Sequence, residues 1–162
     1  MRFWLLDRIC SYEADTELTA IKNVSITEEY LADHFPEFPV LPGVFMLEAA
    51  TQAGAWLVRL SENFAHSVVV LQEAKGVKFA DFVTPGNTLR MCLKQTKRDG
   101  KLVHMRFRGE VDGRSCVSGR LVLECSNLVE DEACAERLTE YALIDQHMTY
   151  ALRTQADILL GA

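Results

Sequence analysis

A histidine and a carboxylate of the types that carry out acid–base catalysis, His34 and Glu48, stand 14 residues apart in the sequence. The unperturbed pKa of histidine lies near neutrality, so the His34 imidazole can abstract a proton at physiological pH. Glu48 lies in an apolar stretch, where burial raises the pKa of a carboxyl group and suits it to act as a general acid. Alone, each residue is more often structural or solvated, and its role therefore depends on the elements that hold it.

The loop between these two residues is stiffened by proline. Three of the four prolines in the chain lie at positions 36, 39 and 42, and each fixes its own φ and biases the preceding residue toward extended geometry. The loop ends in Pro42-Gly43, where we expect a helix to begin with amide groups that lack intrahelical acceptors. The Gly43 N–H can then polarise a thioester carbonyl. A base, an acid and an oxyanion donor are together what removal of water from a β-hydroxyacyl thioester requires.

Hydrophobic periodicity indicates the elements that must position these groups. Residues 43–62 are apolar at nearly every helical angle, which predicts a helix buried on most sides. Residues 88–125 alternate with period two and break at two Asp-Gly pairs, which predicts a three-strand antiparallel meander. The predicted fold class is α+β, an antiparallel β-sheet wrapped around a long central helix. The remaining strand candidates span residues 67–82, 2–13 and 17–24.

The C-terminal segment has a different character. Residues 127–162 are rich in helix formers and acidic side chains, and we expect one or two helices that pack on the domain or on a partner subunit. Asp145 and Gln155 fall on the apolar stripe of this segment and weaken it. The predicted organisation is therefore one domain over residues 1–126 and a C-terminal helical extension over residues 127–162. The stripe consists of Leu138, Tyr141, Met148, Leu152 and Leu159.

Composition restricts the class of protein. With 162 residues, 49% of them hydrophobic and 25% charged, the chain is long enough for one domain with a substantial core. No apolar run approaches the roughly 20 residues of a membrane helix, and we find no signal-peptide core, so we expect a cytoplasmic protein. Five cysteines without a C-x-x-C pair favour reduced thiols over disulfides or a zinc site.

Charge is distributed unevenly along the chain. The formal net charge of -6 argues against nucleic-acid binding as the main function. Residues 75–120 nevertheless carry 11 Lys and Arg against 4 Asp and Glu. This segment fits either an acidic partner or the solvated faces of strands.

Taken in order, these motifs resemble those of the β-hydroxyacyl-[acyl-carrier-protein] dehydratases of type II fatty-acid synthesis, a family with the hot-dog fold. The resemblance covers residues 1 to about 126, and a histidine loop followed by a carboxylate 14 residues later is specific. It implies a lyase that converts 3-hydroxyacyl chains to the trans-2-enoyl product. The matching segments are Leu5–Arg8, Ala20–Ser25, His34–Val44, Leu47–Ala49 with Gln52, and Val83–Gly86.

The resemblance also implies roles for individual residues. The matching histidine, His34, abstracts the α-proton, the helix carboxylate, Glu48, assists departure of the hydroxyl group, and the Gly43 amide binds the thioester oxygen. A glutamate at this helix position is typical of the form that dehydrates without isomerising the double bond. The Val40 carbonyl is expected to orient His34. The implied substrate-binding residues are Phe35, Val40, Pro42, Val44 and Gln52.

Partners follow from the same resemblance. The family builds each site from two chains, with the histidine from one and the carboxylate from the other, which implies a homodimer and allows a trimer of dimers. The implied substrate is carried on the phosphopantetheine arm of acyl carrier protein, and neither a metal nor a bound redox cofactor is expected. The acyl chain would lie in an apolar tunnel beside the central helix. Candidate carrier-docking residues are Lys75, Lys78, Lys97, Arg98 and Lys101.

The sequence also departs from the family pattern. Glu37 stands where the family usually has glycine after His-Phe-Pro, Asp81 lies in a stretch that is often basic, and Asn87 replaces the usual aspartate after Pro-Gly. Two alternatives stay open. One is a hot-dog acyl thioesterase that activates water against the thioester carbonyl, and the other is a non-catalytic acyl-carrier-binding subunit.

Overall fold

Six antiparallel strands form one sheet around a long helix in the computed structural model, which describes residues 3–130 and 138–161. The strand order is β1-β2-β4-β5-β6-β3, so β1 and β3 lie at the two edges. The predicted antiparallel sheet around a central helix is therefore confirmed. The strands are β1 (Arg8–Glu13), β2 (Glu17–Asn23), β3 (Val68–Phe79), β4 (Thr88–Asp99), β5 (Leu102–Val111) and β6 (Arg114–Ser126), and the helices are α1 (Gly43–Ser61) and α2 (Leu138–Leu160).

The predicted meander over residues 88–125 corresponds to β4, β5 and β6. At the turn between β5 and β6, Asp112 and Gly113 both have positive φ, +49° and +79°. Two such residues form the turn whose twist matches that of antiparallel strands. The alternation along the strands then directs one apolar face toward α1. Inward-facing side chains include Leu89, Met91 and Leu93 of β4 and Val103, Met105 and Phe107 of β5, all buried.

Strand β3 is shorter than predicted, because it ends at Phe79 and not at Phe82. The Ala80 and Asp81 amides both donate to the Cys116 carbonyl, at 2.7 and 3.3 Å, which ends regular pairing with β6. The Asp81 carboxylate then accepts a hydrogen bond from the Phe82 amide at 2.8 Å. These contacts turn the chain toward the start of α1, where Leu41 donates to the Val83 carbonyl at 2.8 Å.

Helix α1 is packed closely against the sheet through Gly54. A Cβ at this position would lie 2.9 Å from both Leu123 Cδ1 and Met105 Sδ, nearer than carbon side chains approach each other. The absence of a side chain lets the helix backbone lie near β5 and β6. Ala50, Ala53 and the neighbouring small residues of α1 are likewise fully buried. The predicted helix over residues 43–62 is confirmed, and it is buried on most sides.

Helix α2 is joined to the domain by the buried carboxylate of Asp145. Its Oδ1 accepts hydrogen bonds from the Ser67 hydroxyl at 2.5 Å and from the Leu128 amide at 3.1 Å, and its Oδ2 accepts one from the Val129 amide at 3.0 Å. Burial alone would raise the pKa of Asp145, but the three hydrogen bonds outweigh it, so the pKa lies below its usual value. The aspartate that weakens the apolar stripe of α2 therefore fixes the helix in place.

Asp145→Ala is expected to lower the free energy of unfolding by about 3 kcal/mol near neutral pH, since it leaves buried donors unpaired. Because the folded-state pKa lies below the unfolded one, the carboxylate contributes stability above about pH 4, and this contribution is lost as pH falls through the folded-state pKa. Urea unfolding of both proteins at neutral and acidic pH measures the difference. Asp157→Ala, at an exposed position of the same helix, is the matched control. A difference of equal size at both pH values would contradict the role of the ionised carboxylate.

Two further sequence predictions concern membrane-spanning helices and the cysteines. No helix within residues 3–130 and 138–161 combines the length and apolarity needed to cross a bilayer. Cys10, Cys92, Cys116 and Cys125 are free thiols, and burial raises the pKa of the last two. Cys134 lies outside the described residues. The division into a domain over residues 1–126 and an extension over 127–162 stays a prediction.

Candidate active site

The loop that carries His34 has a strained backbone next to the imidazole. Phe35 has a φ of +53°, a left-handed conformation that a bulky side chain rarely adopts. Its carbonyl accepts a hydrogen bond from the Phe38 amide at 2.8 Å, which closes a turn, and its ring centroid lies 4.4 Å from that of His34. The prolines, this turn and the Leu41 anchor to Val83 together hold the half-buried imidazole in one place.

Gly43 begins α1 directly after this loop. Pro42 is the N-cap, and its carbonyl accepts hydrogen bonds from the Phe45 and Met46 amides at 2.9 and 3.3 Å. The Gly43 amide precedes the first intrahelical donor, so its N–H has no acceptor within the helix. A Cβ at Gly43 would lie 3.2 Å from the Phe79 ring, so any other residue here would press on that ring. Glycine thus keeps the approach to this N–H open.

His34 and Gly43 line one cavity of about 320 Å³, which we call the histidine cavity. Phe35 and Val40, two of the predicted substrate-binding residues, line it as well. Sequence reasoning missed its other lining residues from the end of β3 and the following turn, because nothing local in the sequence indicates that this turn faces the loop. The residues from β3 and this turn are Phe79, Ala80, Asp81 and Phe82. Leu41 of the loop and Met46 of α1 complete the lining.

The other two predicted residues of this loop lie beside the cavity. Pro42 is buried under the helix start, and Val44 is 65% exposed on its first turn. No hydrogen bond joins the His34 imidazole to the Val40 carbonyl in the single chain, although both residues line the histidine cavity. Asp81 brings a carboxylate into this cavity and forms an ion pair with Arg114 at 3.2 Å.

Glu48 is half-buried and hydrogen-bonded to Gln52 one turn later. The Gln52 amide nitrogen donates to Glu48 Oε1 at 3.0 Å and to the Phe3 carbonyl at 3.1 Å. The Gln52 amide oxygen accepts a hydrogen bond from the Leu5 amide at 3.0 Å. Gln52 therefore joins the carboxylate to the N-terminal segment and holds its orientation.

Glu48 and Gln52 line a different cavity, of about 260 Å³, which we call the glutamate cavity. It has no lining residue in common with the histidine cavity. One chain therefore brings His34 and Gly43 together but does not bring Glu48 to them. The other lining residues are Phe3, Trp4, Thr51, Ala55, Trp56, Arg59, Val69, Leu152 and Gln155. The helical spacing of residues 48, 52, 55 and 59 was the available sequence signal for this face.

None of the five candidate carrier-docking residues lines either cavity, although Lys78 directly precedes Phe79 of the histidine cavity. Lys75 and Lys97 line a groove on the sheet surface and pair with Glu73 and Asp99, at 2.8 and 2.7 Å. Arg98 is half-buried, 2.8 Å from Glu62 and 3.7 Å from the Cys125 sulfur. Lys78 and Lys101 are exposed. Docking by these residues stays a prediction.

Metal binding was not predicted from the sequence. In the part of the chain that the structure describes, no three His, Cys, Asp or Glu side chains come together as ligands for an ion. The expectation that the protein needs no cofactor stays a prediction.

A sheet wrapped around a helix, with a histidine loop leading into the helix start, defines a hot-dog protein with a candidate acid–base site. Solved structures share this fold. The dehydratase heterocomplex ApeI:P from Xenorhabdus doucetiae matches with a TM-score of 0.65 and 22% identity, over 78% of this chain and 86% of that chain. A mutant thioesterase from Pseudomonas aeruginosa matches with a TM-score of 0.59 and 18% identity, over 74% of this chain and 80% of that chain. The predicted hot-dog fold is confirmed.

Sequence comparison identifies the family. A FabA-like domain model matches residues 1–120. The 3-hydroxyacyl-[acyl-carrier-protein] dehydratase FabZ of Streptococcus agalactiae serotype V is 39% identical over 123 residues, which are 76% of this chain and 87% of the relative. FabZ of Lactococcus lactis subsp. cremoris is 39% identical over 119 residues, which are 74% of this chain and 82% of that relative. The chain therefore belongs to the FabA-like family of dehydratases. The predicted family and the assignment as an enzyme of the lyase class are confirmed.

Proposed function

We propose that this protein removes water from 3-hydroxyacyl-[acyl-carrier-protein] and releases the trans-2-enoyl thioester in type II fatty-acid synthesis, as a cytoplasmic enzyme. The observation that carries the proposal is that His34 and Gly43 line one cavity at the start of α1. A base and an oxyanion donor that face the same space can act on adjacent atoms of one substrate. The similarity to the FabZ dehydratases named above supports the choice of substrate.

In the proposed reaction the imidazole of His34 takes the α-proton of the thioester. The negative charge that develops on the thioester oxygen is stabilised by the Gly43 N–H and by the positive end of the α1 dipole. The Glu48 carboxyl group donates a proton to the departing β-hydroxyl group, the C–O bond breaks with its electron pair going to the oxygen, which leaves as water, and the electron pair of the broken α-C–H bond forms the Cα=Cβ double bond. Proton transfer from His34 back to Glu48 restores the enzyme, so the reaction consumes no oxidant or reductant.

Glu48 reaches this substrate from a second subunit in our proposal. The two cavities of one chain are separate, so a site with both groups requires another copy. Strand β3 is a 12-residue edge strand with no partner on its outer side among the described residues, and such an edge invites pairing. Large apolar side chains are also exposed around the histidine cavity, which marks an interface. They are Phe35, Phe38, Val44, Phe79 and Phe82. A two-fold homodimer through this surface, alone or within a trimer of dimers, would place each Glu48 against the partner's histidine loop.

Mixing the inactive variants His34→Ala and Glu48→Gln tests the shared site. Each homodimer lacks one group in both of its sites, whereas a mixed dimer contains one site with both groups. We expect unfolding and refolding of an equal mixture to restore up to about a quarter of wild-type activity, since half of the dimers are mixed and each has one intact site. Activity is followed as the absorbance of the conjugated enoyl product.

The control is each variant refolded alone, and mass spectrometry of differently tagged subunits verifies exchange. Mixed dimers without activity would contradict a site shared between subunits. Release of free thiol without enoyl product from the wild-type enzyme would favour the thioesterase alternative. Binding of acyl carrier protein without any turnover, unchanged by His34→Ala, would favour a non-catalytic subunit.

A further inference from the structure

The C-terminal helix α2 contributes to the lining of the glutamate cavity, although it lies outside the part of the chain that the family model matches. The model match ends at residue 120, whereas α2 spans Leu138–Leu160. Leu152 and Gln155 of α2 line the same cavity as Glu48 and Gln52. A segment beyond the family domain therefore supplies one wall of the candidate active site.

The position of this wall is fixed by contacts on both sides of Leu152. Two turns earlier, Asp145 accepts its three hydrogen bonds from the domain. On the following turns, Ala156 and Leu159 are buried. Arg153 donates to the Asn63 carbonyl at 2.8 Å, and its guanidinium lies 4.6 Å from the Phe64 ring centroid. These contacts fix the position of Leu152 beside α1.

The glutamate cavity follows one face of α1. Glu48, Gln52, Ala55 and Arg59 are about one turn apart, so their side chains share that face. At about 1.5 Å per residue, the distance along the helix axis from Glu48 to Arg59 is roughly 16 Å. An elongated apolar ligand that begins at Glu48 fits this direction. Its apolar lining residues are Phe3, Trp4, Ala55, Trp56, Val69 and Leu152, and Thr51, Gln52 and Gln155 add polar groups to the lining.

Arg59 makes the far end of the cavity polar. Its guanidinium lies 5.5 Å from the Trp56 ring centroid, and its Nε is buried without a hydrogen-bond partner. Burial lowers the pKa of Arg59 to about 10, so the side chain stays charged at neutral pH. An apolar chain that covered this guanidinium would remove its water without replacing the lost hydrogen bonds, which is unfavourable. The part of the cavity that suits an apolar chain therefore ends before Arg59.

We propose that α2 and α1 together form a subsite for the distal part of the acyl chain, in which Leu152 sets the available width and Arg59 sets the far limit. This inference rests on the proposed dehydratase function. It makes the C-terminal helix a determinant of acyl-chain selectivity.

Variants at Leu152 test the subsite. We expect Leu152→Ala to raise the ratio of kcat/KM for 3-hydroxypalmitoyl over 3-hydroxydecanoyl thioester by about tenfold, because apolar pockets discriminate on this scale. Leu152→Phe narrows the cavity and is expected to lower the same ratio. Leu143→Ala is the matched control, since Leu143 lies on the same helix but is 63% exposed, and it is expected to leave the ratio unchanged.

The outcomes separate the subsite from the proposed function. Equal loss of activity at every chain length in both Leu152 variants indicates a purely structural role and overturns the subsite. An unchanged ratio in both variants also overturns it. If no chain length is dehydrated by the wild-type enzyme, the proposed function fails. The subsite is then decided by titrating decanoyl- and palmitoyl-pantetheine amides against tryptophan fluorescence, where the ratio of the two Kd values must shift in opposite directions in Leu152→Ala and Leu152→Phe.

Discussion

His34→Ala is expected to lower kcat/KM for a 3-hydroxyacyl thioester by roughly 100-fold or more, the usual scale for loss of a positioned general base. The imidazole lines the histidine cavity beside Gly43, and no other described histidine lines it. The folded state is expected to be retained, because His34 has no hydrogen bond in the described chain and is half-buried. Steady-state measurement of enoyl absorbance gives kcat/KM, and circular dichroism with thermal unfolding shows whether the folded state is retained.

His147→Ala is the control for this variant. His147 is exposed on α2, away from both cavities, so its removal is expected to leave the rate unchanged. Free imidazole added to His34→Ala is expected to restore part of the activity, since the cavity left by the side chain can admit a base. A rate for His34→Ala within a fewfold of wild type would show that another group removes the α-proton.

The elements that position His34 were predictable because their determinants are local. Proline spacing fixes the loop, Pro42-Gly43 begins α1, and alternation with Asp-Gly turns produces the meander. Each of these signals acts within a few residues of chain. The strain at Phe35 was not predictable, since nothing about a phenylalanine indicates a φ of +53°. It accompanies the turn that the Phe38 amide closes on the Phe35 carbonyl.

The two polar residues on the stripe of α2 illustrate what periodicity cannot supply. Asp145 and Gln155 counted against the helix in the sequence; the structure gives Asp145 three hydrogen-bond donors and places Gln155 in the lining of the glutamate cavity. Asp145 binds Ser67, which is 78 residues away, so its partner is visible only after the chain has folded. At Asp145, a polar residue on an apolar stripe was therefore a sign of a specific contact and not of a weak helix.

The separation of His34 from Glu48 has a physical cause that lies within α1. Both residues belong to one continuous segment, but His34 lines a cavity at the helix start together with Gly43, whereas Glu48 lies on the face of α1 that meets the N-terminal segment and α2. His34 and Glu48 are 14 residues apart in the sequence, and in the folded chain they line two separate cavities. Which surface of a second copy would meet the histidine cavity is a property of the proposed dimer.

Glu48→Gln is expected to lower kcat/KM by a similar factor, roughly 100-fold, because the amide keeps the size of the side chain and cannot supply the proton for the leaving hydroxyl group. A glutamine at this position can still accept the hydrogen bond that Gln52 donates to Oε1 at 3.0 Å, so the fold should be retained. Glu29→Gln, the same substitution at an exposed position outside both cavities, is the control. A Glu48→Gln enzyme of near-normal rate would exclude the carboxyl group as the acid.

Variants at Gln52 distinguish proton donation by the Glu48 carboxyl group from the orientation of that group by its neighbour. If Gln52 acts by orienting Glu48, Gln52→Leu should lower kcat/KM in the wild-type background and have almost no further effect in the Glu48→Gln background, since groups that act as a unit are not additive. A purely structural role through the Phe3 and Leu5 contacts would instead lower the rate by the same factor in both backgrounds. Comparing the four enzymes therefore measures the coupling between the acid and the residue that holds it, because additive losses can arise only if Gln52 acts independently of the carboxylate.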